Sequence, residues 1–285
     1  MRKALIVALN GVLTGVRQKK FYFALFLNFI LMKQIIDLIK TFSVYTGIKV
    51  VPAVFPFLMQ QSYIQLVFIA GITLVFCDAP FMEYNTTYEM IRTGKMRWLM
   101  GKIMYMFCMS IIYTGSIIAI TVLLLFPRFT FSTGWGKVLT TIASSNALEQ
   151  LGIGFFSIDY SIIIKDTPLR AVSLAALISI VVCFLTGTCI LMINTCFKHI
   201  PGSFGGIAIA LLPYFQHNFS NLYTMSFWSP ASWLDINLWD ASVRLHYPSV
   251  TYMIVFFAVS ISLSVVVSCV VYGRKDDVLA VKGKE

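Results

Sequence analysis

The sequence predicts an all-α integral membrane protein with six transmembrane helices. Three observations predict this class: repeated apolar runs of about 20 residues, a mean hydropathy of +0.82, and a charged fraction of only 12%. A helix needs roughly 20 apolar residues to cross the hydrocarbon core, whereas about a quarter of the residues of a soluble domain are charged. These values exclude a soluble globular domain.

Residues 1–20 predict a separate helix, lying in the membrane interface, before the first span. Leu5, Ala8 and Leu9 fall on one helical face, and the cations Arg2 and Lys3 lie elsewhere. This amphipathic pattern is typical of an interfacial helix. No small-residue cleavage site follows, so we expect an uncleaved interfacial helix rather than a signal peptide. We do not interpret the G-x-x-x-G spacing of Gly11 and Gly15 as a dimer motif, because this helix is not a clear membrane span.

The remaining residues, 21–285, predict a single transmembrane domain. The predicted spans cover about residues 21–39, 57–76, 103–126, 169–193, 203–218 and 250–271. The fifth span is short and contains Gly205, Gly206 and Pro213. Broken helices of this kind are tolerated in a membrane where protein or a cavity covers the freed backbone. Residues 145–165 are apolar but contain Glu149 and Asp159, and we expect them to form an outer, interfacial or re-entrant piece.

The distribution of Lys and Arg predicts the orientation. Most of the 22 cations lie in residues 1–20, 80–102, 194–202 and 273–285, which are the inner segments of a six-span arrangement. Lys and Arg accumulate on the cytoplasmic side of membrane proteins. We therefore expect a multi-pass protein of the plasma membrane with both termini in the cytoplasm. The same bias explains the net charge of +10, so no nucleic-acid partner is expected.

A polar stretch between the second and third spans predicts a short cytoplasmic helix. Residues 82–92 (MEYNTTYEMIR) contain no Gly or Pro, and Gly94 follows as a stop signal. On the outer side, Pro230 opens a second predicted helix, PASWLDINLWDA, whose Trp residues suit the membrane interface. The first of these helices is central to the functional prediction.

The sequence contains none of the motifs of a membrane-embedded enzyme. It lacks H-E-x-x-H, G-x-S-x-G and a phosphate-binding loop. Asp235 and Asp240 are five residues apart, do not share a helical face well, and are interpreted as ordinary surface residues. We therefore expect a protein that is not an enzyme and has no metal site.

In the order of its elements the chain resembles the permease subunits of ABC type-2 exporters. The shared features are the basic interfacial (elbow) helix, six spans, a cytoplasmic coupling helix, a short fifth span and a basic C-terminal tail. The stretch IRTGKMRWLMGK, which leads into the third span, is similar to the corresponding segment of that family. The long loop between the third and fourth spans departs from the compact members of that family.

This resemblance implies a dimer of permeases, identical or paired with a sister chain, that clasps two separate ATPase subunits. ATP and Mg²⁺ would bind to those subunits, and no cofactor would bind to this chain. The coupling helix would dock into the ATPase subunit. The residues expected to couple to the ATPase are Glu83, Tyr84, Asn85, Tyr88, Glu89 and Arg92.

The resemblance also implies a translocation path through the membrane domain. The candidate polar residues of this path are Asn28, Lys33, Asp37, Gln61, Gln65 and His217. The family reading favours export of hydrophobic or amphipathic peptides or of drugs, and lipid export fits it as well. The identity of the substrate and the choice between a homodimer and a heterodimer stay open.

A secondary transporter or channel that works without an ATPase is the alternative. Lys33 and Asp37 lie four residues apart in the first predicted span, so they share a helical face. Charges inside a span are costly and often functional, and this pair could couple transport to an ion. Lys33 and Asp37 could instead lie near the outer end of the span, where their side chains pair with each other or extend to the lipid headgroups. No internal repeat supports a secondary transporter.

Overall fold

The computed structural model describes residues 2–82, 86–145, 158–197, 201–218, 223–239 and 247–274. Eleven α-helices make up most of this part of the chain. The helices are α1 (Arg2–Arg17), α2 (Lys19–Thr46), α3 (Phe55–Leu58), α4 (Ser62–Phe76), α5 (Thr86–Thr93), α6 (Lys95–Leu125), α7 (Gly136–Ser144), α8 (Tyr160–Lys165), α9 (Pro168–Cys196), α10 (Ser203–Asn218) and α11 (Val250–Arg274). Within these ranges there is no β-strand, only an isolated bridge between Val50 and Phe129. The all-α prediction is confirmed for this part of the chain.

Four helices are long and apolar enough to cross a membrane, namely α2, α6, α9 and α11. These four helices are compatible with the predicted multi-pass membrane protein. Helix α2 continues to Thr46 and α6 begins at Lys95, so both extend beyond the predicted segments 21–39 and 103–126. The prediction followed the apolar run, whereas a helix continues through the polar residues that flank it. The segments predicted as the second and fifth spans form the shorter α4 and α10, of 15 and 16 residues.

Contacts between helix ends show the direction in which each helix runs. Lys20, at the start of α2, forms an ion pair with Asp78 after α4. Lys40, near the other end of α2, donates to the Phe126 carbonyl after α6, at 2.8 Å. Asn194, near the end of α9, donates to the Ala79 carbonyl at 2.6 Å. Helices α2 and α6 therefore run in one direction, and α4 and α9 run in the other.

The last two long elements continue this alternation. The Gly202 amide, just before α10, donates to the Asn194 side chain at the end of α9. At the other end of the molecule, the Tyr252 hydroxyl of α11 donates to the Phe227 carbonyl, at 3.1 Å. Tyr272, at the end of α11, stacks on Trp98 at the start of α6, with ring centroids 5.9 Å apart. Helix α10 thus runs parallel to α2, and α11 runs parallel to α9.

The two ends of the helix bundle differ in charge. We call the end that holds α1, α5 and the start of α6 the cation-rich end. Its described cations are Arg2, Lys3, Arg17, Lys19, Lys20, Arg92, Lys95, Arg97, Lys102 and Arg274. The described carboxylates of this end are Asp78 and Glu89, whereas the opposite end holds Asp159, Asp166 and Asp235. The opposite end also holds six described cations, namely Lys40, Lys49, Arg128, Lys137, Lys165 and Arg170, so the described part of the chain has more cations and fewer carboxylates at the cation-rich end.

Helix α1 lies against α6 through its small residues. A Cβ added to Gly15 would be 2.5 Å from the Tyr105 hydroxyl, and one added to Gly11 would be 2.9 Å from the same ring. Leu9 and Leu13, on the other face, are exposed. The G-x-x-x-G pair therefore does have a packing role, because it admits an aromatic ring of the third predicted span.

The segment between Pro230 and Trp239, before α11, forms short 3-10 turns rather than the predicted α-helix. The turns are Ser232–Leu234 and Ile236–Trp239. Trp233 is fully buried and its ring packs edge-on against Phe256 and Phe257 of α11. Its Nε1 donates to the Ser226 carbonyl at 2.9 Å. The Trp side chain thus anchors this segment in the protein core instead of reaching the membrane interface.

Candidate functional site

Helix α5 lies at the cation-rich end and is held by three other helices. The Tyr272 hydroxyl of α11 lies 3.3 Å from the Met90 sulfur. Nε1 of Trp98 in α6 donates to the Glu89 carboxylate at 3.2 Å. Nζ of Lys3 in α1 donates to the Arg92 carbonyl at 3.0 Å. A polar helix this short would be only marginally stable in isolation. The three contacts fix it to the rest of the helix bundle.

The opposite face of α5 is exposed. Tyr88 and Ile91 are 72% and 71% exposed, and they lie three residues apart, so they are neighbours on the helix surface. Thr87 and Arg92 are exposed beside them. An exposed aromatic and aliphatic pair flanked by a cation is the composition that protein interfaces favour.

Two cation–π contacts lie in the helices that hold α5. Nζ of Lys95 is 5.5 Å from the centroid of the Tyr272 ring, and Nζ of Lys102 is 5.4 Å from that of Trp98. Trp98 is fully buried and Lys102 is 6% exposed. Cation–π attraction is strongest where the charge is desolvated. The Lys95–Tyr272 contact joins the first turn of α6 to the last turn of α11, the two helices that also contact α5 through Trp98 and Tyr272.

The predicted coupling residues fall into three groups. Glu83, Tyr84 and Asn85 lie outside the described residues. Tyr88 and Arg92 lie on the exposed face of α5, whereas the Glu89 side chain turns inward to Trp98. Helix α5 therefore separates residues that hold it in place from residues that are available to a partner.

Asn28, a predicted residue of the translocation path, is buried between α2, α4 and α6. Its Nδ2 donates to the Tyr113 hydroxyl at 3.0 Å, and that hydroxyl donates to the Phe68 carbonyl at 2.8 Å. A Cβ on Gly71 would come within 2.2 Å of the Tyr113 oxygen, so only Gly allows this approach. The arrangement joins three helices, and Asn28 is buried within it.

Lys33 and Asp37 lie on the outer surface of α2. The Lys33 side chain is exposed and Asp37 is half-buried, and no ion pair joins the two. Their i,i+4 spacing does place them on one face, as predicted. They lie apart from the other predicted path residues.

A polar cavity of about 350 Å³ opens at the end of the bundle opposite the cation-rich end. It is bounded by the turn before α4, the last turns of α10 and the 3-10 segment. The lining residues are Gln60, Ser62, Gln65, Pro213, Gln216, His217, Ser232, Asp235, Leu238 and Tyr247. The structure thus brings together two of the predicted path residues, Gln65 and His217. Gln61, at the start of α4, lies next to this set without lining it.

Asp235 supplies the carboxylate of this cavity. The pKa of Asp235 is raised to about 6, chiefly by burial and to a lesser degree by the nearby Asp159 carboxylate. The Asn237 amide donates to Asp235 Oδ1 at 3.0 Å, and this bond and one from the Gln60 side chain counteract the rise in pKa. No described Lys or Arg forms an ion pair with Asp235. Among the described residues, the carboxylate of this cavity therefore has no counter-ion.

Sequence reasoning missed most of this cavity. Asp235 was interpreted as an ordinary surface residue, and the structure contradicts this, because the residue lines a cavity and has a raised pKa. Asp240, its predicted companion, lies outside the described residues. Gln60 and Gln216 were not selected either. Only the cluster Gln60, Gln61, Ser62 at the start of an apolar run signals polar surroundings there.

No family model, curated protein or solved structure matches the chain. The described residues also contain no group of three or more His, Cys, Asp or Glu side chains that could hold a metal ion.

Proposed function

We propose that the chain is the permease subunit of an ATP-driven ABC exporter and works with a separate ATPase subunit. The observation that supports this most directly is the exposed face of α5. A short helix is held by α1, α6 and α11, and it presents Tyr88 and Ile91 outward at the cation-rich end. Force applied there reaches three helices at once, which is what coupling to a soluble ATPase requires.

The six-span arrangement is part of this proposal, and the helix directions support it. Helices α2 and α6 are long enough to span and run in the same direction, so the chain has to return between them through α4. Helices α9 and α11 likewise run in one direction, and α10 has to return between them. With 15 and 16 residues, α4 and α10 are only about 22–24 Å long, shorter than the ~30 Å hydrocarbon core.

The proposed orientation has the cation-rich end in the cytoplasm. Both chain termini then face the cytoplasm, and the membrane is the plasma membrane. The exposed apolar residues of α2, α6 and α11 contact lipid, a second permease, or both. ATP and Mg²⁺ belong to the ATPase subunits. Hydrophobic or amphipathic peptides and drugs are the proposed cargo class.

The test is co-purification with a partner ATPase. The double substitution Tyr88→Ala and Ile91→Ala removes the exposed pair, and we expect it to reduce the recovered ATPase at least tenfold, since truncated interface anchors typically cost more than 1 kcal/mol each. The thermal unfolding of the permease should stay unchanged, because both residues are exposed. Leu123→Ala, at an equally exposed position of the opposite end (71%), is the matched control.

Two results would contradict the proposal. The first is a wild-type preparation that transports cargo in liposomes without any nucleotide-hydrolysing protein. The second is an ATPase partner that is recovered equally well with the double variant and with the control. A transport-active preparation without an ATPase would favour the secondary transporter or channel. Lys33 and Asp37 gain no support for that role, because no ion pair joins them and they lie apart from the cavity.

A further inference from the structure

We propose that the polar cavity next to α10 is a binding site for a small cationic ligand, one that carries a primary ammonium group on a short hydroxylated body. Its volume of about 350 Å³ lies at the lower end of the range of small-molecule sites, which is about 300–1,000 Å³. This inference goes beyond the proposed transport function, because it concerns what binds to the isolated chain.

The charge of the cavity selects the ligand class. Asp235 is the acidic residue of its lining, and neither Lys nor Arg is among the described lining residues. A carboxylate taken from water without a counter-ion is costly. An ammonium group placed beside it would supply the missing charge and form charge-assisted hydrogen bonds, which are stronger than neutral ones.

The hydrogen-bonding groups of the lining point to the same class. The Gln60 Oε1 atom is buried and accepts no hydrogen bond from any described residue. The Asp235 carboxylate has accepting capacity left after its bonds from Asn237 and Gln60. The unused groups are thus acceptors, and a ligand that donates several hydrogen bonds matches them.

The remaining polar side chains fix the shape of the site. The Ser232 hydroxyl donates to Gln216 Oε1 at 2.6 Å and shares a second bond with Ser229. The Gln65 amide donates to the Met59 carbonyl at 2.6 Å. Because these groups are already bonded to the protein, the wall is preorganised and Asp235 and Gln60 are left for the ligand.

Other titratable groups near Asp235 bear on the effect of pH. His217 and Tyr247 line the same cavity, and Asp159 lies behind it, bonded to the Asn237 side chain at 2.6 Å. Protonation of Asp235 near pH 6 would remove the attractive charge. The loss of this charge weakens the binding of a cation as the pH falls.

The experiment is a ligand-observed NMR titration of the purified full-length chain in nanodiscs at pH 7.5. Three probes share a four-carbon chain: 4-aminobutan-1-ol, uncharged butane-1,4-diol and anionic 4-hydroxybutanoate. We expect the amine to bind at least tenfold more tightly than the other two. Its affinity should fall about tenfold at pH 5, because roughly nine-tenths of Asp235 is then protonated.

Two variants assign the effect to Asp235. Asp235→Asn keeps the shape of the side chain and should reduce amine binding to the level of the diol, and it should abolish most of the pH dependence. Asp159→Asn is the matched control, because it removes a nearby carboxylate that does not line the cavity, and its affinity should stay within about twofold of wild type. Gln60→Leu provides a second wall variant if Asp235→Asn fails to fold, and it should weaken the amine several-fold.

The proposal is overturned if the diol binds as tightly as the amine, or if Asp235→Asn binds the amine like the wild type. It is also overturned if the pH dependence persists unchanged in Asp235→Asn, since a group other than Asp235 would then be responsible. No ATPase subunit is present in this titration, so a negative result would not contradict the transport proposal. Likewise, a failed co-purification with an ATPase would not contradict the ligand-binding proposal.

Discussion

At the residue scale, the Tyr113 hydroxyl of α6 can approach the backbone of α4 closely because Gly71 has no side chain. Gly71→Ala would place a methyl group 2.2 Å from the Tyr113 oxygen and 3.0 Å from Asn28 Nδ2. We expect a loss of about 1–3 kcal/mol in unfolding free energy, the usual cost of overpacking. The measurement is denaturant unfolding in detergent. Gly115→Ala, in a helix position with nothing within 4 Å, should be neutral or slightly stabilising, and equal losses in both variants would contradict this account.

Asp235 predicts a pH dependence of stability with a definite sign. Its folded-state pKa of about 6 lies above the reference value of 3.8. Between these values the folded chain binds a proton that the unfolded chain does not, so stability increases as the pH falls from about 7 to about 4. We expect wild type to gain about 2 kcal/mol more than Asp235→Asn over this range. Thermal unfolding of both proteins at pH 4.5 and 7.5 checks it; parallel curves would exclude the raised pKa.

The residues that sequence reasoning missed share a physical cause. Asp235 lies among Trp residues in a segment that predicts an amphipathic interface helix, and its surroundings come from Gln60 and Gln216, which are distant in sequence. Local patterns cannot report such contacts. The sequence did single out Gln65 and His217 as path candidates, because a polar side chain within or beside an apolar run is itself a signal, and both residues line the cavity.

At the element scale, α1 depends on two small residues to reach α6. Gly15→Val would place side-chain atoms where the Tyr105 hydroxyl lies, 2.5 Å from the new Cβ. We expect α1 to lose its position and the basic stretch at residues 17–20 to become several-fold more sensitive to trypsin. Limited proteolysis in nanodiscs measures this.

A second substitution separates the contact from a general loss of helix stability. Tyr105→Ala in the Gly15→Val background removes the clashing ring and should restore part of the resistance, as expected for residues in contact. Leu13→Val introduces the same side chain on the exposed face of α1 and should leave the cleavage rate unchanged. Cleavage that is equally fast in the Leu13 variant would show that the valine, and not the Tyr105 contact, weakens the helix.

Elements were predictable where a periodic pattern or a long apolar run defined them. Helices α1, α9, α10 and α11 begin and end within a few residues of the predicted segments. The segment after Pro230 was not predictable in this way. Its Trp233 and Trp239 suggested a membrane interface, but Trp233 is buried against α11 and Trp239 Nε1 donates to the Trp233 carbonyl. Tertiary packing here replaces the helix that local composition favours.

At the scale of the whole molecule, the proposed topology predicts which surfaces reagents can reach. A single Cys at Thr87, exposed on α5, should react with a membrane-impermeant maleimide only after the cells are permeabilised. A single Cys at Tyr45, which is 76% exposed at the other end of α2, should react in intact cells. The six native Cys residues are first replaced by Ser or Ala. Labelling of both positions in intact cells, or of neither, would contradict the arrangement.

The assembly of α5 has a consequence for biogenesis. This helix contacts Lys3 of α1 and Tyr272 of α11, two residues that lie far apart in the sequence. During synthesis these contacts are complete only after α11 has been made. A chain that ends before α11 would lack one of the helices that hold α5, so the proposed ATPase partner would find a fully supported docking helix only on chains that contain α11.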